Sequence, residues 1–202
     1  IGWDMVKSGL VNNTSVSHYR LSLHLFTAFL IISIIFWLIL NIMNKTQKYF
    51  FKNQKYSYLF YFLISIIFLQ IILGAFVSGL DAGKIYQTWP LMNNNYFPDD
   101  VIILNIKDVL NFSDHSLIQF YHRNIAYLIF ISIIIVGLFI YRLKLHYLFK
   151  SYFIVLFFLF LQIILGILTL TSGLNIFLAS AHQIGSLGLV LSVIYMHYIH
   201  IK

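Results

Sequence analysis

Five long apolar runs, at about residues 19–43, 57–79, 117–141, 152–170 and 176–200, divide the chain; each approaches or exceeds the roughly 20 residues that carry an α-helix across a bilayer. The polar stretches between them differ in kind. Residues 44–56 hold Lys45, Lys48, Lys52 and Lys55 without an acid, and Arg142, Lys144 and Lys150 surround the turn after the third run. The stretch 80–115 instead holds Asp81, Asp99, Asp100, Asp108 and Asp114 against Lys84 and Lys107. Short basic loops stay on the cytoplasmic side, so the alternation predicts five transmembrane helices with the N-terminus outside and the C-terminus inside. Eight of the 13 Lys and Arg residues, counting Lys202, then fall inside. Residues 1–18, mixed in character with Gly2-Trp3-Asp4-Met5-Val6-Lys7-Ser8-Gly9-Leu10 followed by Asn12-Asn13-Thr14-Ser15, read as an interfacial loop with Trp3 at headgroup level.

Composition narrows the class further. With 60% hydrophobic and 9% charged residues and a mean hydropathy of +0.87, the chain is an all-α polytopic membrane protein and not a soluble domain. Its net charge of +7 reports topology and lipid headgroups, with no nucleic acid as partner. The absence of cysteine removes disulfides, thiolate metal sites and thiol nucleophiles together. No glutamate is present, and none of the six aspartates lies inside an apolar run, which argues against a carboxylate-pair enzyme built from this chain alone. Residues 1–11 lack the apolar core and cleavage site of a signal peptide, and a chain opening on Ile1 is expected to be part of a longer protein.

Candidate chemistry lies in the histidines. His24, His122 and His182 each fall in the early turns of a run that travels from outside to inside, so at about 1.5 Å per residue all three sit at similar depth. An intramembrane ionisable residue is a functional-site candidate by default. One such histidine is as readily explained by a hydrogen bond to a neighbouring helix; the aligned set favours a shared ligand. Four residues on stand Ala28, Ala126 and Ser186, small enough to let a flat macrocycle lie against the helix. Zinc would want further ligands that this interior lacks, whereas bis-histidine haem ligation needs one imidazole from each of two facing helices. Arg123 beside His122 and Arg20 before His24 suit haem propionates, although snorkelling to the interface explains each equally well. His18, His115, His146, His197 and His200, at span ends, read as interfacial. Leu69-Gln70-Ile71-Ile72-Leu73-Gly74 recurs identically as Leu161-Gln162-Ile163-Ile164-Leu165-Gly166, the mark of a duplicated design whose glutamine and glycine favour close helix contact. Composition alone makes Tyr86 and Trp89 an aromatic anchor of the outer loop.

Several longer motifs carry a resemblance. Gly2-Trp3-Asp4-Met5-Val6-Lys7-Ser8-Gly9-Leu10, Val16-Ser17-His18-Tyr19-Arg20-Leu21-Ser22-Leu23-His24 and Gly79-Leu80-Asp81-Ala82-Gly83 come first. Tyr86-Gln87-Thr88-Trp89-Pro90-Leu91-Met92, Gln119-Phe120-Tyr121-His122-Arg123 and Ala181-His182-Gln183 follow. In this order and over nearly the whole chain they resemble the haem A synthase family of alphaproteobacteria and mitochondria. The departures, Asp4 where a second aromatic is usual and a histidine at position 18, touch no ligand.

The resemblance implies an eight-helix protein of two four-helix bundles that oxidises the C8 methyl group of haem O to the formyl group of haem A for cytochrome oxidase. It implies haem b between His122 and His182 in the C-terminal bundle, and haem O as substrate, with His24 as a catalytic, iron-contacting residue of the N-terminal bundle. Residues 1–56 would be the last helix of that first bundle with its flanking loops, and residues 57–202 the C-terminal four-helix haem b bundle, including outer loop 80–115. The first three family helices, with a further histidine and a glutamate of the reactive site, would precede this stretch. The setting implied is the bacterial inner membrane, or the mitochondrial inner membrane in a eukaryote, with the lipid bilayer, haem O synthase, cytochrome oxidase assembly factors and a homo-oligomer as expected partners. Two rivals stand beside it. A non-catalytic cytochrome b electron carrier would usually stack haems in both leaflets, and a repeat-symmetric transporter would carry polar groups near the midplane, where few are seen.

Overall fold

The computed structural model describes residues 2–7 and 16–201. Its helices are α1 (Gly2–Lys7), α2 (His18–Met43), α3 (Ser57–Gly79), α4 (Ile106–Val109), α5 (His115–Arg142), α6 (Phe149–Thr171) and α7 (Ile176–His200), and among the described residues no strand forms. Five of them are long and apolar enough to cross a membrane. In hydrocarbon every main-chain polar group must be satisfied internally, which a helix does within its own segment. The chain is a multi-pass, all-α membrane protein.

Helix ends follow local chemistry. The Asp114 carboxylate accepts from the Leu117 amide and the Asn175 side chain accepts from Phe177 and Leu178, capping α5 and α7. The tight turn from α6 to α7 passes through Gly173 at φ 72°, a left-handed value that glycine adopts without strain. Residues 1–18 depart from the expected loop, because Gly2–Lys7 is helical and packs on α2; the Asn12-Asn13-Thr14-Ser15 part of that expectation lies outside the described residues.

Packing is built from a helix hairpin and a helix trio. α6 and α7 form one hairpin, α3 lies between α2 and α5, and α7 also touches α2 and α3. Leu63 and Ile67 of α3, Ile133 and Ile140 of α5, Val155 of α6 and Val193 and Ile194 of α7 make a common apolar core. Small residues set the closest approaches. Gly188 leaves room for the Phe158 ring, Gly137 for the Tyr152 hydroxyl, and a Cβ at Gly79 would meet His18 Cβ at 2.8 Å. The outward faces, Leu23, Ile31, Ile34, Ile35 and Leu38 on α2 and Phe153, Phe157 and Ile164 on α6, are exposed for lipid.

At the basic end of the bundle, loop 44–56 is strapped to the last turn of α7. His197 Nε2 lies 3.0 Å from the Phe50 carbonyl and His200 Nε2 3.0 Å from that of Lys55, while Gln54 donates to the His200 carbonyl at 2.6 Å. His197 and His200 are fully buried, contrary to their interfacial reading, since the loop folds back over them and Phe60 stacks on His200.

Candidate functional site

The duplicated segment and the histidines meet in space. α3 and α6 carry the two copies of the repeat, and α5 and α7 carry His122 and His182. A Cβ placed on Gly74 would stand 3.1 Å from His122 Cε1 and 3.7 Å from its Nδ1; one on Gly166 would stand 3.1 Å from His182 Cε1 and 3.6 Å from Nδ1. Each imidazole therefore lies directly on the bare main chain of its partner helix. Each also meets the main-chain carbonyl of the repeat glutamine, Gln70 or Gln162, one turn before the glycine that uncovers it. The contact falls short of a well-formed hydrogen bond, and Nδ1 of both rings is buried without a partner. Gln70 Nε2 lies 3.3 Å from His122 Nε2. The amide nitrogen of Gln162, buried and unpartnered, presses on Gly185, three residues beyond His182.

The loop after α3 locks the start of α5 on both sides of His122. Gln119 Nε2 donates to the Tyr86 carbonyl at 2.7 Å, and Arg123 donates to the carbonyls of Tyr86 at 3.0 Å and Leu91 at 3.2 Å. The guanidinium of Arg123 thus holds loop main chain, with Nε buried and without a partner. Tyr86 is itself only 3% exposed, correcting its reading as an interfacial anchor, whereas Trp89 is 46% exposed. The Tyr86 hydroxyl lies 2.6 Å from Asp99 Oδ1 and 2.7 Å from Asp100 Oδ1, and Ser116 donates to Asp100 Oδ2 at 2.7 Å. Burial first, then the bonds to Asp99 and Asp100, push the Tyr86 phenol well above its ordinary range.

For Asp100, burial acts to raise the pKa, but hydrogen bonds from Ser116 and Tyr86 outweigh it and hold the carboxyl below its ordinary value of 3.8. A depressed folded-state pKa gives stability that is complete above the unfolded value and lost as pH falls through the folded one. Tryptophan fluorescence of the purified protein is expected to show the loop holding its structure down to about pH 4 and loosening below it. In Asp100→Asn the loop is looser at every pH and this acid step disappears; an unchanged acid step would assign it to another group.

The other expected residues lie apart from this pair. His24 is half-buried on α2, which packs chiefly on α3 and α7, and a Cβ at Gly2 of α1 would stand 3.5 Å from its Cε1. Arg20 is exposed on the first turn of α2, and His115 and His146 are exposed as expected of interfacial residues. His18 is half-buried against Phe76, with a buried Nε2 lacking a partner. Among the described residues no three of His, Asp, Glu or Cys gather as a metal cluster, which leaves pairs of imidazoles as the available ligand sets. Sequence reasoning missed the role of Gly74 and Gly166 as seats for the rings; their recurrence at the same place in both repeats was the signal.

Comparison with known proteins bears on this arrangement. The family model described as cytochrome oxidase assembly protein matches residues 1–194. The heme A synthase of Pelagibacter ubique is 50% identical over 195 residues, covering 95% of this chain and 55% of that protein. The heme A synthase of Rickettsia rickettsii is 37% identical over 206 residues, covering 100% of this chain and 60% of that protein, and that of Rickettsia canadensis is 39% identical over 209 residues. This chain thus spans 55 to 60% of the length of these relatives. With a match over nearly its full length and half its residues identical to those of a relative, the chain belongs to the haem A synthase family of cytochrome oxidase assembly proteins.

Proposed function

We propose that this chain is the part of a haem A synthase that holds haem b between α5 and α7, and that the whole protein oxidises the C8 methyl group of haem O to the formyl group of haem A. The observation that carries this reading is the doubled cradle: two buried imidazoles on two different helices, each seated on the bare main chain of a repeat glycine. His122 and His182 are the residues that would hold the haem iron. When bound, haem b supplies one-electron transfer.

The chain's own residues do the rest. Nδ1 of each ring lies against the main chain at Gly74 or Gly166, so Nε2 is the atom proposed to face the iron. Gln70's amide competes for Nε2 of His122, and so tunes how readily that nitrogen is given up. Ile125 and Ile129, one and two turns along α5, belong to the apolar core and keep water from the rings. Arg123 retains a spare Nε donor for a propionate, and Arg20 is exposed near His24. His24 is the proposed axial contact to the haem O substrate. Haem O synthase and cytochrome oxidase assembly factors are the proposed partners, and the bacterial inner membrane the proposed location.

An electron carrier would usually place a second facing pair of imidazoles at the basic end. His197 and His200 instead share one helix, a turn apart, and both spend Nε2 on carbonyls of loop 44–56. To separate the two readings, haem is extracted from cells expressing the full-length protein and identified by chromatography. Haem A is expected from the native sequence, and haem O without haem A from His24→Ala. Undiminished haem A from His24→Ala would remove His24 from the reaction, and no haem A from either protein would favour the carrier.

A further inference from the structure

Three of the helices end where α2, α5 and α7 begin: α1 at Lys7, α3 at Gly79 and α6 at Thr171, and Gly2, Gly74 and Gly166 each stand five residues before that end. In the sequence the likeness runs on, since Ser8-Gly9-Leu10 follows Gly2 at the spacing with which Ser172-Gly173-Leu174 follows Gly166. Facing each glycine is a histidine near the start of the next long helix. His24 is the seventh residue of α2, His122 the eighth of α5 and His182 the seventh of α7. One pairing of glycine and histidine therefore occurs three times along the chain, in α1 with α2, α3 with α5 and α6 with α7.

The contact is alike in all three. A Cβ on Gly2 would stand 3.5 Å from His24 Cε1 and 3.9 Å from its Nδ1, against 3.1 and 3.7 Å for Gly74 and His122 and 3.1 and 3.6 Å for Gly166 and His182. The same edge of each imidazole thus faces bare main chain. Within α1, Trp3, Val6 and Lys7 are exposed and Gly2 is half-buried, so the glycine lies on the side that meets α2. Backbone conformation gives no reason for a glycine there, because among the described residues the only glycine at positive φ is Gly173. The seat at Gly2 is the widest of the three: 3.5 Å is ordinary contact, so the methyl group of alanine fits. Valine adds two carbons to that Cβ and has one strongly preferred rotamer in a helix, which leaves little freedom to swing them clear of the ring.

We propose that Gly2 is a positioning residue for His24: its bare main chain seats the imidazole as Gly74 seats that of His122 and Gly166 that of His182, and so directs the ring for the reaction on haem O. The assignment rests on the reading of His24 as the axial contact to the substrate. The test uses the full-length protein carrying Gly2→Ala, Gly2→Val or His24→Ala. Haem A is extracted from the cells, and in the purified protein the rate at which diethyl pyrocarbonate modifies His24 is followed by mass spectrometry relative to the exposed His146. Since a misplacement of about 1 Å costs about 100-fold in rate, haem A is expected to fall about 100-fold in Gly2→Val. It stays near native in Gly2→Ala. Modification of His24 relative to His146 rises in Gly2→Val alone, reporting the ring leaving its seat independently of activity. An unchanged ratio in Gly2→Val overturns the proposal, as does native haem A in Gly2→Val where His24→Ala makes none. Equal losses in Gly2→Ala and Gly2→Val would make position 2 an ordinary packing site and overturn it too. Undiminished haem A in His24→Ala instead overturns the reading of His24 and with it the purpose of the seat, while a raised ratio in Gly2→Val would still establish the seat itself.

Discussion

Replacing His122 or His182 with alanine is expected to abolish the low-spin b-type absorption of the purified protein, while His146→Ala leaves it unchanged. Each ring reaches its place through a different helix, so losing either removes one of the two proposed ligands, and His122→Ala also leaves the Gln70 amide without the ring it faces. Burial of an unpaired polar group costs about 1–3 kcal/mol, so a loss of thermal stability accompanies the spectral change. His146 is exposed in the turn before α6 with its ring beside Phe149, which makes it a control for the chemistry of histidine removal. A low-spin spectrum surviving in either ligand variant would mean that iron is held elsewhere.

Gly74→Val and Gly166→Val should be nearly as damaging, although neither residue offers a ligand atom. A Cβ at either position meets the imidazole carbon at 3.1 Å, tighter than ordinary contact, and the two further methyl carbons of valine leave the ring no seat. Overpacking of this kind costs about 1–3 kcal/mol, but its specific effect is to turn the imidazole away from the carbonyl of Gln70 or Gln162. Haem content is expected to fall at least as steeply as stability. Gly188→Ala, which crowds the Phe158 ring in the same α6–α7 interface, supplies the comparison: it lowers the melting temperature and leaves the spectrum of the folded fraction unchanged. Equal spectral losses from Gly188→Ala would make Gly74 and Gly166 ordinary packing residues.

Helix placement was legible because the membrane imposes it. The expected spans 57–79 and 176–200 coincide with α3 and α7, and the other three differ by one to three residues at ends where capping decides, as Asp114 does for α5. The all-α class and the multi-pass count were legible for the same reason. What hydropathy cannot carry is the folding back of polar segments. His197 and His200 read as interfacial by position, and only the return of loop 44–56 buries them. Tyr86 looks like any loop aromatic until Asp99, Asp100 and Gln119 converge on it. The Gln-and-Gly repeat was visible as a pattern and was read as close helix contact. That the contact is with His122 and His182 needed the pairing of α3 with α5 and of α6 with α7, which no periodicity encodes. His24 was singled out by the depth it shares with His122 and His182, and Arg20 and Arg123 by their place beside those histidines, whereas the roles proposed for them rest on the family motifs.

The most direct test of two imidazoles sharing one iron is the low-temperature electron paramagnetic resonance spectrum of the ferric, haem-loaded protein. A low-spin signal typical of two imidazole ligands, converted to high spin by His122→Ala and by His182→Ala alike, is the predicted result. A high-spin signal in the native protein, or a low-spin signal indifferent to both substitutions, would contradict it.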